Sequence, residues 1–338
     1  MRAAVYKGGQ KFSIEELPTP SPGSGQVLIK VKMCAICGTD VHAYLYDMPP
    51  TGTVLGHEYC GVIVEVGSEI TRWKVGDRVI GGGGEPPAGS EPPVRKDPRF
   101  NYRTMGFPEG SVRGFAEYIA MDEWQPVAVP DGVPDEAAAM CEPSAVAVHA
   151  VRKSRVRVGD SVGVIGAGPI GLLVAQVAQA AGASKVMISE LTPGRKAAAA
   201  SLGVDAIFDP TEQDIEREMV AMTGGLGPDV VFDCAGIKGT LDQAFNIVRR
   251  AGEVVLVAVP WEPMPVLAVD WMARETEFKA SWGSTPSDWH VALNMMASGK
   301  LSMDQLVLEE SYIPLEDIQS AFEALVKPST QVQMVVRL

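Results

Sequence analysis

The sequence predicts an α/β protein in two parts, a β-rich unit followed by a doubly wound parallel sheet. Three observations predict it. Short apolar alternations separated by Gly or Pro recur through residues 1–150. From Arg157 onward strand-like and helix-like runs alternate, the pattern of parallel strands joined by crossover helices. Between the first strand and the first helix of that second part stands a glycine turn, Gly166-Ala167-Gly168-Pro169-Ile170-Gly171. A chain of 338 residues is long for one domain and comfortable for two.

In chain order, Val27–Val31, Val62–Val66, Val75–Ile80 and Phe115–Met121 read as strands of the first part. Between the last two, Gly81 to Gly110 holds four consecutive glycines and prolines at 86, 87, 92, 93, 98 and 108, and is expected to be loop. The second part begins with Ser161–Gly166 as a strand and Ile170–Ala181 as a helix. Lys185–Ser189 (strand) and the alanine-rich stretch after Gly194 (helix) follow. Asp229–Gly236 and Gly252–Val259 continue the alternation. A helix over His290–Ala297 leads into SYIPLEDIQSAFEAL and the strand-like QVQMVVRL. There is no internal repeat. Val162 to Ala183 carries no charge and is long enough on paper to cross a bilayer. Its Gly-Ala-Gly-Pro interruption and two glutamines fit a buried strand, a turn and a buried helix better.

The net charge of −13 disfavours nucleic acid or an anionic membrane surface as a partner, because both require basic patches. No charged segment followed by an apolar one opens the chain, so no secretory signal is expected. Five cysteines, at 34, 37, 60, 141 and 234, are an odd number without a disulfide rhythm and suit a reducing, cytoplasmic setting.

The most specific signal lies between Gly56 and Ile70, GHEYCGVIVEVGSEI. Gly61, Gly67 and Ile70 follow Gly-His-Glu at fixed offsets, and Cys37, in CGTDVH, stands upstream. Cysteine and histidine are ligands that suit zinc. Together these segments resemble the zinc-containing medium-chain alcohol dehydrogenases, over essentially the whole chain and least well between Gly81 and Gly110. The resemblance implies a Rossmann-type nucleotide domain over 151–289 and a GroES-like catalytic domain over 1–150 with 290–338, the tail returning to the first domain.

The resemblance also implies a zinc site. Cys37 and His57 are two ligands. The third is a cysteine in one branch of the family and a glutamate before proline in the polyol and butanediol branch. Here Cys141-Glu142-Pro143-Ser144 and the following VHA favour Glu142 over Cys141. Glu58, next to His57, is a further potential ligand, of the kind that in relatives neighbours the zinc and can displace its water. Three protein ligands and an open position mark a catalytic site. Many relatives carry four cysteines for a structural zinc where this chain has the cysteine-free loop, so no structural zinc is expected. Thr39 and His42 sit at the offsets of the family's proton relay, and Asp40 would orient His57. Cys34-x-x-Cys37 also fits a redox pair, but the motif around Cys37 argues for a metal ligand and makes Cys34 a core residue. Cys60, Cys234 and His149 read as packed residues.

Gly166, Gly168, Pro169, Ile170 and Gly171 form a dinucleotide fingerprint in its proper place, after a strand and opening a helix. Glu190, at the end of the next strand, can accept ribose hydroxyls and would repel a 2′-phosphate, which favours NAD over NADP. Arg195 nearby is the opposing signal, although in the family a basic residue there lies along the NAD ribose. Backbone near Ala235 and Val259, at later strand ends, is expected at the nicotinamide. Tyr44, Phe115, Trp282 and the Gly81–Gly110 loop are expected pocket walls, and Trp261 and Trp271 pocket or subunit contact. The expected activity is oxidation of a secondary alcohol (polyol, vicinal diol or sugar-like) to a ketone, in a homodimer or homotetramer. Threonine 3-dehydrogenase is the alternative within the class, and a zinc-free quinone or enoyl reductase outside it.

Overall fold

An antiparallel pair, β1 (Arg2–Tyr6) and β2 (Phe12–Glu16), opens the chain. The computed structural model describes residues 1–89, 110–326 and 331–338. A long strand, β3 (Gln26–Ala35), leads into helix α1 (Gly38–Leu45), and β4 (Glu58–Val66) returns antiparallel to β3. Short strands β5 (Arg78–Ile80), β6 (Tyr118–Asp122) and β7 (Val127–Ala128) complete this stretch, with β6 on the other side of β3. Helices α2 (Asp135–Ala139) and α3 (Cys141–Lys153) follow.

Six parallel strands come next: β8 (Ser161–Ile165), β9 (Lys185–Ser189), β10 (Ala206–Phe208), β11 (Val230–Asp233), β12 (Glu253–Leu256) and β13 (Glu277–Ala280). Between them run α4 (Pro169–Ala180), α5 (Pro193–Ser201), α6 (Ile215–Met222), α7 (Thr240–Ile247) and α8 (Ala268–Ala273). Their order in the sheet is β10-β9-β8-β11-β12-β13. The winding reverses between β8 and β11, where such sheets open a crevice for ligands. Helix α9 (Pro286–Ala297) precedes the tail strand β14 (Tyr312–Pro314), helix α10 (Ile318–Leu325) and β15 (Val335–Arg337). β15 pairs with β3, so the tail joins the first sheet. The charge-free run from Val162 is thus β8, a glycine turn and α4. Among the described residues no helix is long and apolar enough to cross a membrane.

Two compact units result: Met1–Glu142 with Val307–Ser329 and Met334–Leu338, and Pro143–Leu306 with Thr330–Gln333. The boundaries differ from those expected at 150/151 and 289/290. α3 runs as one helix from Cys141, so the change in composition near Arg157 lags behind the change of unit. The whole of α9 stays in the second unit, with Trp289, Leu293 and Met296 buried. It also starts before His290, because Thr285 and Asp288 form a capping box around Pro286.

Two expected strands shrink. Val75 is 60% exposed in a turn, and only Arg78–Ile80 pairs. Phe115 and Ala116 are buried but meet β1 through one hydrogen bond and one bridge, so the strand begins at Tyr118. Apolar alternation reports burial, not ladder pairing. Of the loop expected over Gly81–Gly110, residues 90–109 lie outside the described residues.

The first unit is keyed by an aromatic cluster. Phe322 of α10 lies 4.8 Å from Phe12, 5.2 Å from Tyr44 and 6.1 Å from Phe115, centroid to centroid. Phe12 and Tyr44 stack at 5.7 Å. Tyr44 and Phe115 are 2% and 0% exposed, so they are core and not pocket wall. Trp271 stacks on Phe245 at 4.9 Å. Truncating Phe322 empties the centre of the cluster. We expect Phe322→Ala to lose about 3–5 kcal/mol of stability in urea unfolding of the first unit; a loss below about 1 kcal/mol would show that the tail helix is not keyed there.

Candidate metal and cofactor sites

The register of β3 against β4 sets the first site. Ala35 is opposite Glu58, so Cys37, two residues beyond β3, arrives beside His57. The motif glycines serve this approach. A Cβ on Gly61 would lie 2.3 Å from the Lys30 carbonyl oxygen, and one on Gly67 would lie 2.1 Å from that of Gly23. Cys37 caps α1: its sulfur accepts from the Thr39 amide at 3.4 Å, and Asp40 accepts from the Cys37 amide at 3.3 Å. A helix N-terminus favours a thiolate.

The Cys37 sulfur, a His57 ring nitrogen and a Glu58 carboxylate oxygen all lie within 4.8 Å of one another. The Thr39 hydroxyl is 3.2 Å from the sulfur and 3.5 Å from His57 Nε2. Asp40, 4% exposed, places Oδ1 3.4 Å from His57 Nδ1 and so turns Nε2 toward the cysteine. The carboxylate that closes this group is Glu58. Glu142, in the first turn of α3, is near enough for its charge to act on Glu58 and Cys37, and for His57 to act on it. Cys141 is fully buried, and burial pushes its thiol well up.

Burial pushes the Cys37 thiol up to about 12, with Glu58 adding to the effect and His57 opposing it. The Glu58 carboxyl is raised by burial and then by Glu142, and burial also raises Glu142. Burial acts against a charged His57, but Asp40 and Cys37 outweigh it and raise that pKa well above the ordinary value. These acids hinder one another's ionisation. A divalent cation among them would let them ionise together. Sulfur, nitrogen and carboxylate donors in one group fit zinc.

His42 lies one turn beyond Thr39 on α1, its Nδ1 2.7 Å from the Gly38 carbonyl oxygen. Its ring stacks on Tyr46 at 6.3 Å. Cys34 fills the space beside Gly56 and Gly114, where an added Cβ would come within 2.8 and 2.7 Å of its sulfur, as a core residue. His149 bonds Asp288 at 2.8 Å and is packed as expected.

In the second unit the fingerprint follows β8. Gly166 has φ +91°, and a Cβ on Gly171 would lie 1.9 Å from the Gly166 carbonyl oxygen. Gly168 is the N-cap of α4 with no side-chain capping bond, and Pro169 follows. Helix N–H groups that no side chain caps, beside closely approached backbone, fit a pyrophosphate. Ile170 lies in the first turn of α4. Glu190 follows β9 and is 6% exposed. Arg195, on α5, reaches to 3.9 Å from where a Gly168 Cβ would be. Ala235 lies against Gly166, an added Cβ there meeting Ala235 Cβ at 3.1 Å, and Val259 follows the end of β12. Sequence reasoning missed Asp233. Fully buried at the end of β11, it accepts from the amides of Ala235 and Gly236 at 3.1 and 3.0 Å and from the Thr240 hydroxyl at 2.9 Å. It shapes the turn that carries Ala235. Its one signal was an Asp at a strand end before Cys-Ala-Gly.

Residues 169–298 match the family model of zinc-binding dehydrogenases, and residues 23–131 match that of the alcohol dehydrogenase GroES-like domain. The chain belongs to the zinc-containing medium-chain dehydrogenases. It is 36% identical over 352 residues to the (R,R)-butanediol dehydrogenase of Bacillus subtilis strain 168, covering 100% of this chain and 99% of that one. A crystal structure of 2R,3R-butanediol dehydrogenase from Bacillus subtilis superposes with a TM-score of 0.88 at 35% identity, covering 100% and 99% of the two chains. The sorbitol dehydrogenase of Halalkalibacterium halodurans is 34% identical over 326 residues, 92% of each chain. A putative zinc-binding dehydrogenase from Sinorhizobium meliloti 1021, bound to NADP, has a TM-score of 0.87 at 29% identity, covering 100% and 99%. The protein is an oxidoreductase acting on alcohols, with zinc and a nicotinamide cofactor, on a Rossmann-type sheet and a GroES-like β-rich domain.

Metal content separates the two cysteines. We expect Cys37→Ala to weaken zinc binding at least about a hundredfold, since losing even an outer partner of a ligand costs ~10–100-fold. Cys141→Ala keeps its zinc. Equal losses in elemental analysis of the two variants would contradict this assignment.

Proposed function

We propose that this dehydrogenase oxidises a polyol, vicinal diol or sugar-like secondary alcohol to the ketone with NAD. One catalytic zinc per chain is held by Cys37, His57 and Glu142, with Glu58 as the neighbouring carboxylate. The observation that carries this is the Cys37, His57 and Glu58 group with the Thr39 hydroxyl beside both its sulfur and its nitrogen. The named activities of the butanediol and sorbitol dehydrogenases support the substrate class, and the Glu142-Pro143 register supports a carboxylate ligand. No cysteine lies between Cys60 and Cys141, which supports the absence of a structural zinc.

Zinc supplies a Lewis acid that eases ionisation of the substrate hydroxyl, and the nicotinamide supplies the hydride acceptor. The chain's own residues handle the proton. Thr39 would accept it at Oγ1 while releasing its own hydroxyl proton, by way of the cofactor ribose, toward His42. His42 is the onward base. A carbonyl can only accept, so the bond to Gly38 puts the imidazole proton on Nδ1 and leaves Nε2 with its lone pair. Burial lowers the His42 pKa below the ordinary imidazole value, with the Gly38 bond acting the other way, which favours the neutral ring. Asp40 holds His57 in orientation. Gly166, Gly168, Pro169, Ile170 and Gly171 receive the pyrophosphate, and Ala235 and Val259 flank the nicotinamide end. Glu190 supports NAD over NADP because a 2′-phosphate would meet its charge.

A cytoplasmic homodimer or homotetramer completes the reading. Edge strand β13 supports a subunit contact: Phe278 is 43% exposed, and nearby Trp282 and Met272 are 40% and 69% exposed.

The test is NADH formation across polyols, vicinal diols, simple secondary alcohols and threonine, before and after chelation and zinc return. A zinc-dependent diol or polyol activity is expected. Preference for threonine would move the substrate to the 3-hydroxy amino acids, and activity untouched by chelation would point to a zinc-free reductase. His42 must be neutral to accept a proton. Alcohol oxidation therefore falls as pH drops through the lowered His42 pKa, and His42→Gln removes that acid limb. A limb that survives the substitution would rule out His42 as the base.

A further inference from the structure

Glu190 sits where two backbone segments of the second unit meet. Its Oε1 accepts from the amides of Leu191 at 2.9 Å and Thr192 at 2.7 Å, in the turn between β9 and α5. Its Oε2 accepts from the amide of Ala167 at 2.8 Å, inside the fingerprint turn. A carboxylate oxygen accepts about two hydrogen bonds. Oε1 is therefore filled by its own turn, and Oε2 retains one acceptor site. Ala167 is fully buried, and Glu190 is 6% exposed. One backbone bond, from the Gly166 amide to the Ser189 carbonyl at 2.8 Å, already joins the same two segments.

We infer that Glu190 is a clasp: it ties the fingerprint turn, through Ala167, to the β9–α5 turn, and so positions the pyrophosphate cradle for either nicotinamide dinucleotide. It is a positioning residue first, and its remaining acceptor site is what it can offer a ribose hydroxyl. The inference deepens the cofactor reading above, and its first measurement does not depend on that reading.

The chemistry of the side chain follows from the geometry. Both carboxylate oxygens must accept for both segments to be held. Glutamine keeps the length but presents one oxygen and one amide nitrogen, which cannot accept, so one end of the clasp opens. The amide released there is a buried or half-buried donor with no partner, and the turn moves to satisfy it. A residue serving only to repel a 2′-phosphate would behave otherwise. Its neutral replacement would leave NADH binding unchanged and improve NADPH binding.

Two measurements on the full-length protein decide the matter. The first is hydrogen exchange at single-amide resolution, without cofactor. Wild-type protein is expected to protect Ala167, Leu191 and Thr192. In Glu190→Gln the Ala167 amide, or the Leu191 and Thr192 pair, exchanges at least about tenfold faster, while the β8 strand amides keep their protection. Fast exchange of Ala167 in the wild type, or unchanged protection of all three amides in the variant, would overturn the clasp. Because the wild type alone can fail this test, a poorly folded variant does not shelter the idea.

The second is the dissociation constants of NADH and NADPH, read by tryptophan fluorescence. Glu190→Gln is expected to weaken NADH by about tenfold, which corresponds to about 1.4 kcal/mol, and NADPH by less, because the same change removes the charge that meets its 2′-phosphate. The dinucleotide KM rises by a similar factor while kcat at saturation and zinc content hold. A gain in NADPH affinity with NADH unchanged would overturn the clasp in favour of a charge gate. If the wild type bound neither dinucleotide, the cofactor reading would fall, and the exchange data would still judge the clasp.

Discussion

Cys37, Glu58 and Glu142 gather around His57 with Asp40 behind it, and this crowding is the constraint on which the first unit depends. Two like unit charges about 4 Å apart repel by about 4 kcal/mol at an effective dielectric near 20. Burial adds a cost for each ion. One imidazolium cannot offset a thiolate and three carboxylates, which explains why the thiol and the carboxyls of Glu58 and Glu142 are all pushed toward their protonated forms. A divalent cation among them would offset both the repulsion and the cost of burial by its attraction for the ionised forms. The local structure is arranged to keep the acids together despite their repulsion. The β3–β4 register, the α1 capping box and the start of α3 each fix one or two of them on backbone that the core already holds.

The second unit solves the opposite electrostatic problem. There the proposed ligand is an anion, and the protein offers N–H groups at the start of α4 with no side chain capping them. Two buried carboxylates organise the turns on either side. Asp233 winds the turn after β11 and Glu190 joins the turns after β8 and β9. In both cases a carboxylate spends its acceptors on backbone amides. The strand ends at the switch of winding are thereby held in fixed shapes. In the proposed reading, a cluster short of positive charge in one unit would polarise the alcohol and a cradle of donors in the other would seat the dinucleotide.

Much of this was legible in the sequence, and the parts that were not have physical reasons. The metal motif was readable because close strand approach forces glycine at 61 and 67, which leaves a fixed spacing around His57. The fingerprint was readable for the same kind of reason at Gly166 and Gly171. Tyr44 and Phe115 were read as pocket walls and proved to be core, because an aromatic near a motif carries no mark of which way it faces. Glu58 was legible as a further potential ligand from its place next to His57, and it is the carboxylate in the tight group. The true start of α9 was written in Thr-Pro-Ser-Asp, a signal present but passed over. The bond from Ala167 to Glu190 depends on the direction of one amide, and amide direction follows backbone dihedrals that no side-chain pattern spells out.

The measurement that tests the central claim most directly is X-ray absorption at the zinc edge of the protein as purified. The account predicts one sulfur neighbour at about 2.3 Å, from Cys37, with the remaining neighbours nitrogen or oxygen at about 2.0–2.2 Å. Two sulfur neighbours would bring Cys141 into the site and contradict the carboxylate ligand. A metal with no sulfur neighbour would contradict the site altogether.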